Sequence, residues 1–289
     1  MRRMINRICC ATLILLLATA CGDRPSGNLS PAVNAAGGGG VNSMEKIRAS
    51  GAITFGVKYD TPPFGFIAEG RTEPEGFEID LVTEIARRMG VTPKFVAVNA
   101  TNRVANLDSG KIDVIAATMI ATRTREKQVD FSAVYFEDDQ RLLVRSGSDI
   151  TGVGQLDGKT VALVQGSTEE TVLRKVAPGA KILTFQSWPN ALQALLRGDA
   201  DALSTTVGIL SGLKQTADQS GSAVQIVAPG IAQGPTAMAV KQGDSALRDE
   251  LNAALMSMAD DGTYQRIYQK WWSGVLPEPL RIAVIPMGS

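Results

Sequence analysis

From about Met44 onward, short apolar runs alternate with amphipathic segments. Met44 to Ala49 reads as a short helix, and Ile53 to Val57 and Lys94 to Val98 read as strands. Between those strands Ile79, Val82, Ile85, Ala86 and Met89 recur at helical spacing over Glu78 to Met89, and Gly90 closes that helix. A second helix, capped by Thr101 or Asn102 with Val104 and Leu107 facing inward, stops at Gly110. Ile112 to Ala117 comes next as a short branched run suited to a buried parallel strand. The pattern continues with strands at Val161 to Val164, Lys181 to Thr184 and Asp201 to Leu203. One helix opens at Q-G-S-T-E-E-T and another spans Ala191 to Leu196. Leu142 to Val144, Val224 to Val227 and Thr236 to Val240 are further apolar runs, and helices over Ala246 to Met258 and Thr263 to Trp272 end the pattern. Strands alternating with helices at this spacing predict an α/β chain with parallel sheets covered on both faces.

In an open α/β sheet, ligands sit beyond the carboxyl ends of the strands. Lys58, before the Pro62-Pro63 turn, succeeds the first strand, and the turn T-M-I-A-T-R-T-R succeeds the run ending at Ala117. Arginine placed there suits a carboxylate, because its planar fork makes two parallel charge-assisted hydrogen bonds. A faint internal repeat links L-D-S-G-K-I-D-V-I-A (107–116) to L-L-R-G-D-A-D-A-L-S (195–204). Both have a helix, a stopping glycine, an aspartate and an apolar strand, so two halves built from one unit can face each other across a cleft.

The chain begins with Arg2, Arg3 and Arg7 and an apolar stretch, Ile8 to Leu17, too short to span a bilayer. Leu17-Ala18-Thr19-Ala20-Cys21 then resembles a bacterial lipobox, with Ala18 where an aliphatic residue is usual; cleavage after Ala20 without lipidation is the alternative. Residues 1–20 are thus a lipoprotein signal peptide, with Cys21 as the lipidation site, and the Gly-, Ser-, Asn- and Pro-rich residues 21–43 are a flexible tether. Cys9 and Cys10 leave with the signal, so the folded part has no cysteine and must rely on a hydrophobic core. Basic and acidic residues number 29 each; losing the three signal arginines leaves the mature chain at −3, with no basic stripe for nucleic acid. The chain has no histidine, which excludes Ser-His-Asp and Cys-His nucleophilic sites and imidazole metal sites.

Several separated motifs in one order carry a resemblance: G-V-K-Y-D-T-P-P-F, G-F-E-I-D-L, N-A-T-N-R, A-A-T-M-I-A-T-R-T-R-E-K-Q-V-D-F-S, L-D-G-K-T-V-A-L-V-Q-G-S-T and G-D-A-D-A-L. Over roughly Met44 to Trp272 the chain resembles the polar amino-acid-binding proteins of bacterial ABC importers (family 3), nearest their aspartate/glutamate branch. The resemblance implies a two-lobed, periplasmic-binding-protein-like type II fold: two parallel or mixed sheets, a hinge, and an interlobe ligand cleft. It places lobe 1 at 44–140 plus 236–289 and lobe 2 at 141–235, with crossing segments near Asp139–Val144 and Pro235–Val240.

It further implies that Arg125 takes the ligand's α-carboxylate, aided by Thr118, the Ile120 amide, and Ser167 and Thr168 at the start of a lobe 2 helix, where an anion is favoured in any case. Lys58 and Arg103 match positions that are basic in the acidic-ligand branch, unless either is paired internally with Asp60, Glu78 or Asp80. Thr206 stands where the family places an aspartate for the ligand's ammonium, so Glu169 substitutes, or the ligand lacks that ammonium, or affinity is low. The resulting expectation is a monomeric, lipid-anchored periplasmic or cell-envelope receptor without metal, cofactor or catalytic residue. It delivers glutamate or aspartate to a membrane permease. The alternatives are a cyclohexadienyl dehydratase-like enzyme using Glu169 as general acid, and a dicarboxylate-binding sensory protein.

Overall fold

The computed structural model describes residues 42–276. The signal, Cys21, the tether up to residue 41 and the chain beyond Leu276 lie outside the described residues, while Ser43, read as tether, already opens the first helix. The elements, in chain order, are α1 (Ser43–Ser50), β1 (Ala52–Val57), β2 (Asp60–Thr61), β3 (Gly65–Phe66), α2 (Phe77–Arg88), β4 (Thr92–Ala97), α3 (Arg103–Asp108), β5 (Val114–Ala116), β6 (Val129–Arg145), β7 (Thr160–Val164), α4 (Thr168–Val176), β8 (Lys181–Phe185), α5 (Trp188–Arg197), β9 (Ala202–Thr206), α6 (Val207–Gln219), β10 (Val224–Lys241), α7 (Ser245–Asp260) and α8 (Thr263–Trp272).

Eight strands form one mixed sheet in the order β4-β1-β5-β10-β6-β9-β7-β8. At one end β1 pairs in parallel with β4 and β5; at the other β7 pairs in parallel with β8 and β9. The antiparallel pair β6 and β10 runs through both ends. Phe131 faces Ala239 beside β5, Glu137 faces Pro235 midway, and Leu142 faces Val227 beside β9. The two sheets that the resemblance implies are joined here into one continuous mixed sheet, because two long strands serve both halves. The sequence shows only fragments of them, since Glu137, Asp138 and Asp139 interrupt the apolar alternation of β6.

The internal repeat has a physical basis. Asp113 accepts the Thr54 amide at 2.9 Å and its own amide reaches the Thr54 carbonyl; Asp201 does the same to Thr160, at 2.8 Å. Each aspartate clips a short strand onto the start of the neighbouring parallel strand. Gly110 and Gly198 turn the chain before these strands in the left-handed region (φ 74° and 86°), which a side chain rarely enters.

Aromatic residues centre the core of the first half: Phe64, Phe77, Phe136, Tyr135, Tyr264, Tyr268 and Trp272 meet at ring-centroid separations from 4.9 Å upward, and Trp272 is fully buried. Trp272 therefore anchors the last helix. One helix goes unread in the pattern: α6, V-G-I-L-S-G-L, whose Gly208 and Gly212 lower helix propensity. Those glycines let α6 lie against the Pro62-Pro63-Phe64 turn of the first half. A Cβ at Gly212 would sit 1.9 Å from the Pro62 carbonyl oxygen, and one at Gly208 2.9 Å from the Phe64 ring.

Candidate functional site

Residues just past the carboxyl ends of five parallel strands, two of them in the second half, converge on one pocket. Lys58 comes after β1, Ala100 and Arg103 after β4, Ala117 and Thr118 after β5, Ser167 to Glu169 after β7, and Trp188 after β8. Ile120, Arg125 and Ile209 complete most of the wall. The free space between the walls is about 20 Å³, room for one water. Anything larger enters only when the walls part.

Arg125 bridges them. Its guanidinium donates to the Ile120 carbonyl at 2.8 Å and, across the gap, to the Gly166 carbonyl at 3.0 Å. Burial lowers its pKa, against the pull of Glu169. Gly166 must be glycine: its φ is 78°, and a Cβ would press within 3.2 Å of the Ala100 carbonyl oxygen on the facing wall. Thr118 holds a left-handed backbone (φ 48°), the only described non-glycine residue to do so. That conformation aims its amide at Glu78 Oε1, 2.8 Å away, so the amide is committed to the protein. The Ile120 amide, by contrast, meets no protein acceptor among the described residues.

Behind this wall the charges are dense. Arg103 is buried and donates to the Ala117 carbonyl at 2.7 Å. Burial, then the charge of Arg125, push its pKa down to about 9, with Glu169 and Glu78 opposing, so it remains cationic at neutral pH. Lys58, also buried, pairs with Asp60 Oδ1 at 3.0 Å. Glu78 is fully buried; burial raises its pKa, while the Tyr135 hydroxyl, the Thr118 amide, Arg103 and Lys58 pull it down.

On the facing wall Ser167 leads into α4 with its hydroxyl buried and unpartnered. Glu169, 4% exposed, accepts from the Thr205 hydroxyl at 2.9 Å and the Thr168 hydroxyl at 3.3 Å. Lys58, Arg103, Thr118, Ile120, Arg125, Ser167, Thr168 and Glu169 thus share one pocket, and Thr206 does not line it. Thr206 is buried where β9 turns into α6, and its hydroxyl faces Asp138. Trp188, three residues past β8 at the start of α5, is the large pocket side chain that the sequence reading does not single out. A roomier hollow, about 410 Å³, lies beside Tyr264, Tyr268 and Leu276, but Arg141, the one cation among its described lining, is paired with Asp139 at 3.2 Å.

The sequence profile of the bacterial extracellular solute-binding proteins, family 3, matches residues 53–274. The chain belongs to that family. It is 38% identical to the ABC transporter glutamine-binding protein GlnH of Bacillus subtilis (strain 168) over 94% of this chain and 97% of the relative. A solved structure of an ancestral arginine-binding protein bound to glutamine is 38% identical, with a TM-score of 0.73, over 77% of this chain and 98% of that one. An ancestral amino acid-binding protein, AncCDT-1, a precursor of cyclohexadienyl dehydratase, superposes with a TM-score of 0.73 at 30% identity, over 80% and 100% of the two chains. The two-lobed type II architecture of family 3 accounts for the two strand-end walls facing each other, and the chain is an amino-acid-binding protein of ABC transport. Among the described residues no helix is long and apolar enough to cross a membrane.

Proposed function

We propose that this chain is the receptor subunit of an ABC importer, tethered to the membrane through Cys21, and that it hands a zwitterionic amino acid with a neutral polar side chain, glutamine first, to a permease. The observation that carries the reading is the balance of charge. Three cations, Lys58, Arg103 and Arg125, stand against three carboxylates, Asp60, Glu78 and Glu169, in and immediately behind the pocket. An α-carboxylate takes Arg125 with the free Ile120 amide, and an α-ammonium takes Glu169, which Thr205 and Thr168 hold in place of the missing aspartate at position 206. Lys58 is then left paired with Asp60, and Arg103 on the Ala117 carbonyl in the field of Glu78. A side-chain amide, with both a donor and an acceptor, meets such pairs without adding charge, whereas an extra carboxylate must be compensated after losing its water.

Glutamate is the second reading, favoured by one feature. Burial makes Glu78 take up a proton more readily than a free carboxyl, and its protonation removes a negative charge facing Arg103, which can then meet an acidic side chain. Calorimetry with glutamine, glutamate, aspartate, arginine and succinate separates the two: glutamine affinity flat from pH 8 to 5, glutamate affinity rising as pH falls. In both readings Arg125→Ala weakens binding by about a hundredfold or more while circular dichroism stays unchanged. An unaltered affinity would refute the assignment. Glu169 serves as a fixed acceptor, not an acid, so prephenate and arogenate remain unconverted; release of phenylpyruvate or phenylalanine would establish the enzyme instead.

A further inference from the structure

Asp60 lies outside the pocket wall and belongs to none of the groups matched to the ligand. Its position is nonetheless specific. The chain leaves β1 at Val57, places Lys58 in the pocket, and returns through the short β2–β3 hairpin, which turns between Thr61 and Phe64. The hairpin holds Asp60 opposite Phe66 and within reach of Lys58. There Oδ1 receives Lys58 Nζ at 3.0 Å and the Thr61 hydroxyl at 2.9 Å. The Lys58 side chain is 4% exposed and that of Asp60 34%. Lys58 is thus buried in the pocket wall while its counter-charge keeps contact with water. A half-solvated carboxylate has little desolvation to recover from pairing, so the pair acts mainly on the buried partner, lowering the positive potential that Lys58 presents to a ligand.

Resting on the amino-acid reading given above, we infer that Asp60 sets the ligand's side-chain charge through Lys58: with the carboxylate present the receptor favours a neutral amide, and without it an anionic side chain. Asp60 is a positioning residue, since it need not touch the ligand.

The test is calorimetry at pH 7.5 on the wild-type chain, Asp60→Asn and Asp60→Glu, each with glutamine and with glutamate. The reading is the ratio of the two affinities in each protein, which a general loosening of the fold does not move. Asp60→Asn is expected to shift that ratio toward glutamate by about tenfold, and Asp60→Glu to keep it near the wild-type value. Raised salt should shrink the shift, because the carboxylate is partly solvated. An unchanged ratio in Asp60→Asn, or a loss of both ligands in equal proportion, overturns the role of Asp60 and leaves the amino-acid reading standing. Wild-type protein that binds neither ligand overturns both.

Discussion

Replacing Asp138 with asparagine should change the slope of stability against pH. Asp138 lies on β6 where it crosses between the halves, and its carboxylate accepts the Gly208 amide at the start of α6. Burial, seconded by Glu169 and Asp139, pushes its pKa from 3.8 to about 7, against the Gly208 amide and the Thr206 hydroxyl. Between those two values the folded chain keeps a proton that the unfolded chain releases, so stability falls as pH rises through the window. The gap corresponds to about 4 kcal/mol at most, and nearer about 2 kcal/mol where water reaches part of the group. Asparagine does not titrate, so the variant lacks this contribution while keeping every other carboxylate's. Urea denaturation of both proteins at pH 4.5, 6 and 8 reads the difference directly. The variant should gain on the wild type as pH rises, by about 1.5 to 3 kcal/mol over the range. Parallel stability curves, or a variant that loses ground with rising pH, would refute the reasoning.

Two further substitutions probe the contacts around α6 and the aromatic core. A glycine-to-alanine change inside a helix ordinarily stabilises by up to about 1 kcal/mol, yet Gly212→Ala should cost about 1–3 kcal/mol in urea unfolding, because the new methyl meets the Pro62 carbonyl oxygen; a stabilised variant would show that the contact yields freely. Phe77→Ala, deleting a fully buried ring that touches Phe64, Tyr135, Phe136 and Trp272, should cost about 3–5 kcal/mol, and a loss below about 1 kcal/mol in the same assay would place the core elsewhere.

Much of this site is legible in the sequence because strand ends are. Apolar runs stop abruptly before Lys58, after Ala117 and after Val164, and residues shortly beyond each stop line the pocket. The illegible parts depend on contacts between distant segments. Helix α6 is hidden by glycines whose reason is a proline turn some 150 residues earlier in the chain. Thr206, where the resemblance implies an aspartate, faces Asp138 because β9 ends by turning into α6, while Glu169, buttressed by Thr205, is the carboxylate in the pocket wall. Trp188 stands at the start of a helix after an irregular turn, where no periodicity marks it. The Lys58–Asp60 pair is visible as two charges one residue apart, but only the hairpin decides that they face each other.

Among the described residues, the paired strands β6 and β10 are the only sheet elements common to both ends of the sheet. Their ladder is unbroken from Glu137 and Pro235 to Gln140 and Ala232, and its register shifts lie to either side. A hydrogen-bonded ribbon two strands wide resists being stretched or slid along its length, yet twists with little opposition. It therefore behaves as a torsion bar, giving each excursion of one wall a fixed axis. Arg125 and Gly166 can separate and meet again without losing their alignment.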